Sequence, residues 1–274
     1  MKENNKAIKI AVSNQKGGVG KTTTAINLSA CLAEAGQKVL VIDIDPQGNT
    51  TSGFGLSKTE IEKTVYEVIL RECDIKEAIV EDVIENLDIL PSNVNLAGAE
   101  IDLIDVENRE YTLKESISEI REKYEYIILD CPPSLSMLTV NAMTAADTVL
   151  VPIQCEYYAL EGLTQLIHTI HLVQKKLNPN LELEGVVFTM YDSRTNLSLQ
   201  VVENVKDIKK VIIDICYQEG ITRRDLIAVY NKKYNKNLLE QTFTKTLSNN
   251  NIKFNMLVDL LDSIGYTIDI RKKL

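Results

Sequence analysis

No apolar run in the 274-residue chain approaches the length of a membrane span, and Met1-Lys-Glu-Asn-Asn-Lys has none of the apolar character of a signal peptide. A membrane-spanning or exported protein is therefore not expected. Cysteines are few and scattered, at 31, 73, 131, 155 and 216, so a disulfide framework is not expected either. There is no Cys-x-x-Cys pair, and His168 and His171 are the only imidazoles. That leaves too few soft ligands for a structural zinc or an iron–sulfur cluster. The expectation is a cytoplasmic chain with no stable membrane association.

What remains is an ordinary globular composition, 45 % apolar and 25 % charged, long enough for one large domain or a domain plus a module. The net charge of −9 hides an asymmetry. Residues 207–274 hold 12 Lys+Arg against 8 Asp+Glu, a net of +4, which leaves 18 against 31, a net of −13, for residues 1–206. An acidic body and a mildly basic tail suggest different partners for each.

The most informative segment is Asn14-Gln-Lys-Gly-Gly-Val-Gly-Lys-Thr-Thr23. It follows the apolar run Ile8–Val12 and opens onto Thr24-Ala-Ile-Asn-Leu-Ser-Ala-Cys-Leu-Ala, apolar at helical spacing. Strand, glycine loop and helix are the context that a phosphate-binding loop requires. Gly17, Gly18 and Gly20 let backbone N–H groups converge on phosphate oxygens, and the helix N-terminus adds partial positive charge. Lys21 is expected to reach the β and γ phosphates and the Thr22 hydroxyl to ligate Mg²⁺. Val19 and Thr23 complete the cofactor-binding stretch Gly17–Thr23.

Alternating apolar runs and amphipathic stretches predict βα units and a mainly parallel sheet. The expected strands are Ile8–Ser13, Val39–Asp43, Leu87–Leu90, Tyr126–Asp130, Thr148–Pro152 and Gly185–Thr189. Acidic residues stand at strand ends, where open α/β sheets place their ligands. Asp43 and Asp45 share strand parity and can face one crevice. Tyr126-Ile-Ile-Leu-Asp130 has the pattern of a Walker B strand, its carboxylate holding Mg²⁺ through water.

The loop departs from the usual pattern: Gln15 stands where the first glycine would be, and a second lysine, Lys16, precedes the glycines. Lys-Gly-Gly-Val-Gly-Lys-Thr resembles the deviant Walker A loop of the ParA/MinD ATPases. Asn95-Leu-Ala-Gly-Ala-Glu, Val151-Pro-Ile-Gln-Cys-Glu-Tyr-Tyr-Ala-Leu-Glu-Gly and Thr189-Met-Tyr-Asp-Ser-Arg-Thr-Asn-Leu resemble the Soj-like branch of that family. The resemblance runs over about residues 7–206. It implies a P-loop NTPase fold of the SIMIBI type that uses ATP and Mg²⁺. It also implies an ATP-state homodimer, non-specific DNA binding, and slow hydrolysis stimulated by a ParB-type activating protein. Nucleoid association and partition of a chromosome or plasmid follow. In site terms it implies that Lys16 acts on the partner subunit's nucleotide, that Asp45 positions the attacking water, that Asp43 stands near Mg²⁺, and that Arg194 contacts DNA.

After Lys206 the family pattern stops, so the expected organisation is an ATPase domain at 1–206 and a small all-helical module at 207–274. Helices are predicted over Asp207–Gln218, from a Thr222-Arg-Arg-Asp225 capping box to about Lys233, from an Asn237 cap, and between Asn255 and Gly265. The order resembles helix-turn-helix domains of the Cro/C1 type. In that reading Gln241, Thr242 and Lys245 face a DNA groove, with Arg223 and Arg224 near phosphate. A four-helix protein-interaction or capping module is the alternative. For the whole chain, the alternative to a partition ATPase is a nucleotide-gated transcriptional regulator with little ATP turnover.

Overall fold

A computed structural model describes residues 7–156, 159–206, 223–234 and 236–239. Seven strands make one sheet: β1 (Ile8–Val12), β2 (Val39–Asp43), β3 (Val80–Ile84), β4 (Leu87–Leu90), β5 (Tyr126–Asp130), β6 (Thr148–Gln154) and β7 (Glu182–Thr189). Their order across the sheet is β3-β4-β2-β5-β1-β6-β7, parallel throughout except for the antiparallel β3–β4 edge. Strands buried on both faces read as continuous apolar runs, and β2, Val-Leu-Val-Ile-Asp, is buried along its whole length. The fold is α/β, a mostly parallel sheet flanked by helices, as the alternating pattern predicts.

Helices fill the crossovers: α1 (Lys21–Glu34), α2 (Asn49–Gly53), α3 (Val65–Ile69), α4 (Ile75–Ala78), α5 (Ala99–Asp102), α6 (Thr112–Ser118), α7 (Met137–Ala145) and α8 (Ala159–Lys176). The buried residues of α1 are Lys21, Ala25, Ser29 and Ala33, one stripe at a spacing of four. Small side chains on that stripe bring the helix close to the strands, where Val12, Val39, Val41, Ile89 and Ile128 form a core cluster with Ala25 and Ala33. Two polar side chains tie the layers internally. Asn141 on α7 donates to the Arg109 carbonyl and accepts from Leu113 N, while Asn178 donates to the carbonyls of Met143 and Ala146.

Predicted and observed strands coincide for β2, β4 and β5 and differ by a few residues at β1, β6 and β7. The sequence reading missed β3. Glu81 and Asp82 break its apolar pattern, Asp82 sits at φ 54°, and the β3–β4 register shifts between Val80 and Ile84. An irregular edge strand of this kind carries no clean period of two.

The sheet belongs to a compact unit formed by Met1–Gln154 and Gln165–Thr189; Cys155–Thr164 and Met190–Leu274 form a second unit. In the second unit α9 (Asn196–Lys206) is capped by Thr195, whose hydroxyl accepts from Ser198 N. Helix α10 (Arg223–Tyr234) coincides with the predicted helix and buries Leu226, Ile227 and Tyr230 on one face. Asn231 clamps the segment after α10, donating to the Leu238 carbonyl and accepting from Leu238 N. The expected helices at 207–218 and beyond 240, with Gln241, Thr242 and Lys245, lie outside the described residues, as do the side chains of Arg223 and Arg224.

Candidate functional site

The loop between β1 and α1 is held by side chains that no motif names. Asn14 donates to the Pro152 carbonyl at 2.7 Å and accepts from Lys16 N at 3.0 Å, while Thr189 donates to the Val19 carbonyl at 2.8 Å. The ends of β6 and β7 thus fix the loop. Gly18 and Gly20 adopt φ 75° and 87°, the left-handed region that disfavours a side chain. Gly20 is also the N-cap of α1; no side chain caps that helix end, and its first turn holds no acidic residue. The first-turn amides are therefore available to an anion.

Lys21 is buried, and its ammonium donates to the Lys16 carbonyl at 2.9 Å, curling the loop around it. Burial holds its pKa below the ordinary lysine value, against the pull of Asp130, Cys131 and Asp45. Gly17, Gly18 and Thr23 are exposed, Thr22 is half-buried and Val19 is buried beneath the loop.

Asp130, the last residue of β5, faces this loop. Its Oδ2 accepts from the Thr22 hydroxyl at 2.8 Å and the Thr50 hydroxyl at 2.7 Å. Its Oδ1 is buried without a hydrogen-bond partner. Burial raises the carboxyl pKa to about 6 although both threonines favour the charged form. An ionisable oxygen buried and unpartnered beside a threonine hydroxyl is a donor set suited to a hard divalent cation with its waters.

Asp43 and Asp45 behave differently. Strand β2 ends at Asp43, so strand parity does not extend to Asp45, which lies on the segment beyond. Both oxygens of Asp43 are engaged: Oδ2 accepts from the backbone and hydroxyl of Thr51, and Oδ1 from Asp45 N. Burial raises its pKa to about 7, with a further push from Asp130. Asp45 is 8 % exposed; its Oδ1 accepts from Gln47 N and its carbonyl from the Ser92 hydroxyl. Ser92 N in turn donates to Thr51 Oγ1, which anchors this segment to the end of β4.

Cys131 is buried, and burial pushes its thiol far up, in keeping with a packing role. Among the described residues no group of His, Cys, Asp and Glu has the arrangement of a multi-ligand metal cluster. In the second unit Arg194 is exposed, and its guanidinium grips Asp192 bidentately at 2.9 and 2.8 Å.

A family model described as an AAA domain matches residues 7–183. The sporulation initiation inhibitor protein Soj of Bacillus subtilis (strain 168) is 53 % identical over 214 residues, 78 % of this chain and 83 % of its own length. The chain belongs to the ParA/Soj family of partition ATPases. Solved structures agree with that membership. A plasmid partition protein from Borrelia burgdorferi superposes with a TM-score of 0.64 at 33 % identity, covering 73 % of this chain and 86 % of that one. Cobyrinic acid a,c-diamide synthase from Mycobacterium smegmatis, solved with an ATP analogue and magnesium, superposes at 0.71 with 43 % identity, covering 73 % and 82 %. No helix among the described residues is long and apolar enough to cross a membrane.

Within this ParA/Soj-type site, Lys16, Gly17–Thr23 and Asp130 come together around one loop. Thr50, Thr51, Ser92 and Asn14 escaped the sequence reading because a hydroxyl or amide that orients another group has no fixed spacing to search for. The pairing of Thr50 and Thr51 soon after a strand-end acid was the available signal.

Proposed function

We propose that the chain is an ATP-dependent, dimerising DNA-partition ATPase, converting ATP and water to ADP and phosphate. The observation that carries this reading is Thr22 donating to Asp130 at 2.8 Å beside the uncapped N-terminus of α1. Phosphate recognition and cation recognition meet there.

The loop amides and Lys21 hold the β and γ phosphates, with Gly17–Thr23 as the binding stretch. Thr22 and Asp130 would hold Mg²⁺, with Asp43 behind them; the cation supplies charge neutralisation to the phosphates. The curled Lys21 exchanges its bond to the Lys16 carbonyl for phosphate oxygens. Asp45 orients a water whose oxygen forms a new bond to the γ phosphorus as the bond from that phosphorus to the β–γ bridging oxygen breaks; the water's proton passes to the phosphate product or solvent, and ADP and inorganic phosphate leave. Lys16 supplies charge to the partner subunit's nucleotide, so hydrolysis depends on dimerisation and stays slow until a ParB-type protein stimulates it.

Arg194 contributes a phosphate contact to DNA in the ATP state, and the tail at 207–274 contributes a helix-turn-helix module with Arg223, Arg224, Gln241, Thr242 and Lys245. The family membership and the similarity to a plasmid partition protein support partition as the cellular role.

The test is phosphate release by the full chain with Mg²⁺-ATP, with and without duplex DNA and a ParB-type protein, for wild type and Asp45→Ala. The reading expects stimulated turnover in wild type and loss of turnover with retained ATP binding in the variant. ATP-dependent DNA binding without turnover in wild type would favour the nucleotide-gated regulator instead.

A further inference from the structure

Thr50 is fully buried on α2, and its hydroxyl donates to Asp130 Oδ2 at 2.7 Å. Thr22 donates to the same oxygen at 2.8 Å. A carboxylate oxygen has two in-plane lone pairs, so these two hydroxyls use the accepting capacity of Oδ2. Oδ1 is left buried and without a partner. The two oxygens of one carboxylate are thereby made unequal, and the inequality depends on Thr50 as much as on Thr22.

The segment that carries Asp45 is tied to the same carboxylate. That segment leaves β2, passes Asp45 and Gln47, and enters α2, where Thr50 and Thr51 are adjacent. Thr51 binds Asp43 through its backbone and its hydroxyl, and Thr50 binds Asp130 on the neighbouring strand. The hydroxyl of Thr50 is therefore a direct tie from the Asp45 segment to Asp130.

We infer that Thr50 is a positioning residue for the cation: its hydroxyl holds Asp130 so that Oδ1 alone is presented to the hydration shell of a bound divalent ion. The inference rests on the reading of this site as one for a nucleotide and a metal. When the Thr22 oxygen turns to the cation, Thr50 keeps the Asp130 carboxylate from rotating. It also makes metal occupancy felt by the Asp45 segment. Residues that orient a metal ligand typically change metal affinity by about 10- to 100-fold when lost.

The experiment uses the full chain, with Mn²⁺ replacing Mg²⁺ as a paramagnetic probe. Free Mn²⁺ is measured by EPR in the presence of ADP, and ADP binding is measured separately in EDTA. Thr50→Val keeps the side-chain shape and removes the hydroxyl; Thr50→Ser keeps the hydroxyl and removes a methyl. The expected result is Mn²⁺ affinity lowered about 10-fold or more in Thr50→Val, affinity near wild type in Thr50→Ser, and ADP binding in EDTA equal in all three. Equal Mn²⁺ affinity in wild type and Thr50→Val overturns the inference. So does a matching loss in both variants, or a loss of EDTA-phase ADP binding that parallels the metal loss, because packing alone would then account for the effect. Absence of ADP-dependent Mn²⁺ binding in wild type overturns the nucleotide–metal reading itself and is recognised without reference to either variant.

Discussion

Asp43 and Asp130 are register partners at the ends of adjacent parallel strands, both fully buried, and are held by two consecutive threonines, Thr51 and Thr50. Burial away from water is the main cause that lifts them to about 7 and about 6, with a further push from the Asp130 charge on Asp43 and from the Asp45 charge on Asp130. The arrangement destabilises the empty site and suits one that receives positive charge.

That strain has a measurable sign. Both carboxyls keep their protons to higher pH in the fold than in the unfolded chain, where an Asp titrates near 3.8. Between about pH 4 and 7 the folded chain binds more protons than the unfolded one, so stability falls as pH rises through that window. Asp130→Asn keeps an acceptor for Thr22 and Thr50 and removes the charge. In EDTA at pH 8 it should be more stable than wild type by on the order of 1–3 kcal/mol, the advantage shrinking as pH falls from 6 to 4. Denaturant unfolding at several pH values checks this, and a variant no more stable than wild type at pH 8 would contradict it.

Gly20 combines a left-handed φ of 87° with a close neighbour: a Cβ there would stand 3.3 Å from Thr189 Cγ2. Gly20→Ala should cost about 1–2 kcal/mol of stability from the backbone alone. It should also weaken ATP binding, because the Thr189 bond to Val19 that shapes the loop is disturbed. Thermal unfolding and nucleotide titration read the two effects, and unchanged values for both would show that the loop tolerates a side chain.

Asp192 competes with any external phosphate for Arg194, since it occupies the guanidinium bidentately. Asp192→Asn should strengthen binding to duplex DNA in the ATP state and steepen the dependence of log K on log salt by up to about one unit; Arg194→Ala should flatten it by a similar amount. Fluorescence anisotropy across a salt series measures both. Equal slopes in all three proteins would remove Arg194 from the DNA contact.

Lys16→Ala, placed in an Asp45→Ala background so that ATP persists, should leave the chain monomeric in Mg²⁺-ATP while Asp45→Ala alone is dimeric. Sedimentation velocity distinguishes them. Dimers of equal stability in both would mean that Lys16 does not act across subunits.

The phosphate loop and the main strands were legible because glycines, a lysine and apolar runs act through local chain geometry. Val39–Asp43 could be placed to the residue, since a strand buried on both faces has no polar interruption. Where partners are distant in sequence the reading failed. Thr50 meets Asp130 across 80 residues and Thr189 meets Val19 across 170, and neither pairing leaves a periodic trace. Asp45 was placed on a strand by extrapolating parity past the last paired residue, Asp43, where the chain turns to give its N–H to the Asp43 carboxylate.

The most direct measurement is calorimetric titration of Mg²⁺-ATP into the full chain and into Lys21→Ala. Saturable one-to-one binding per chain, dependent on Mg²⁺, is expected in wild type and its loss in Lys21→Ala. Absence of binding in wild type, or equal binding in the variant, would contradict an ATP site built on Lys21.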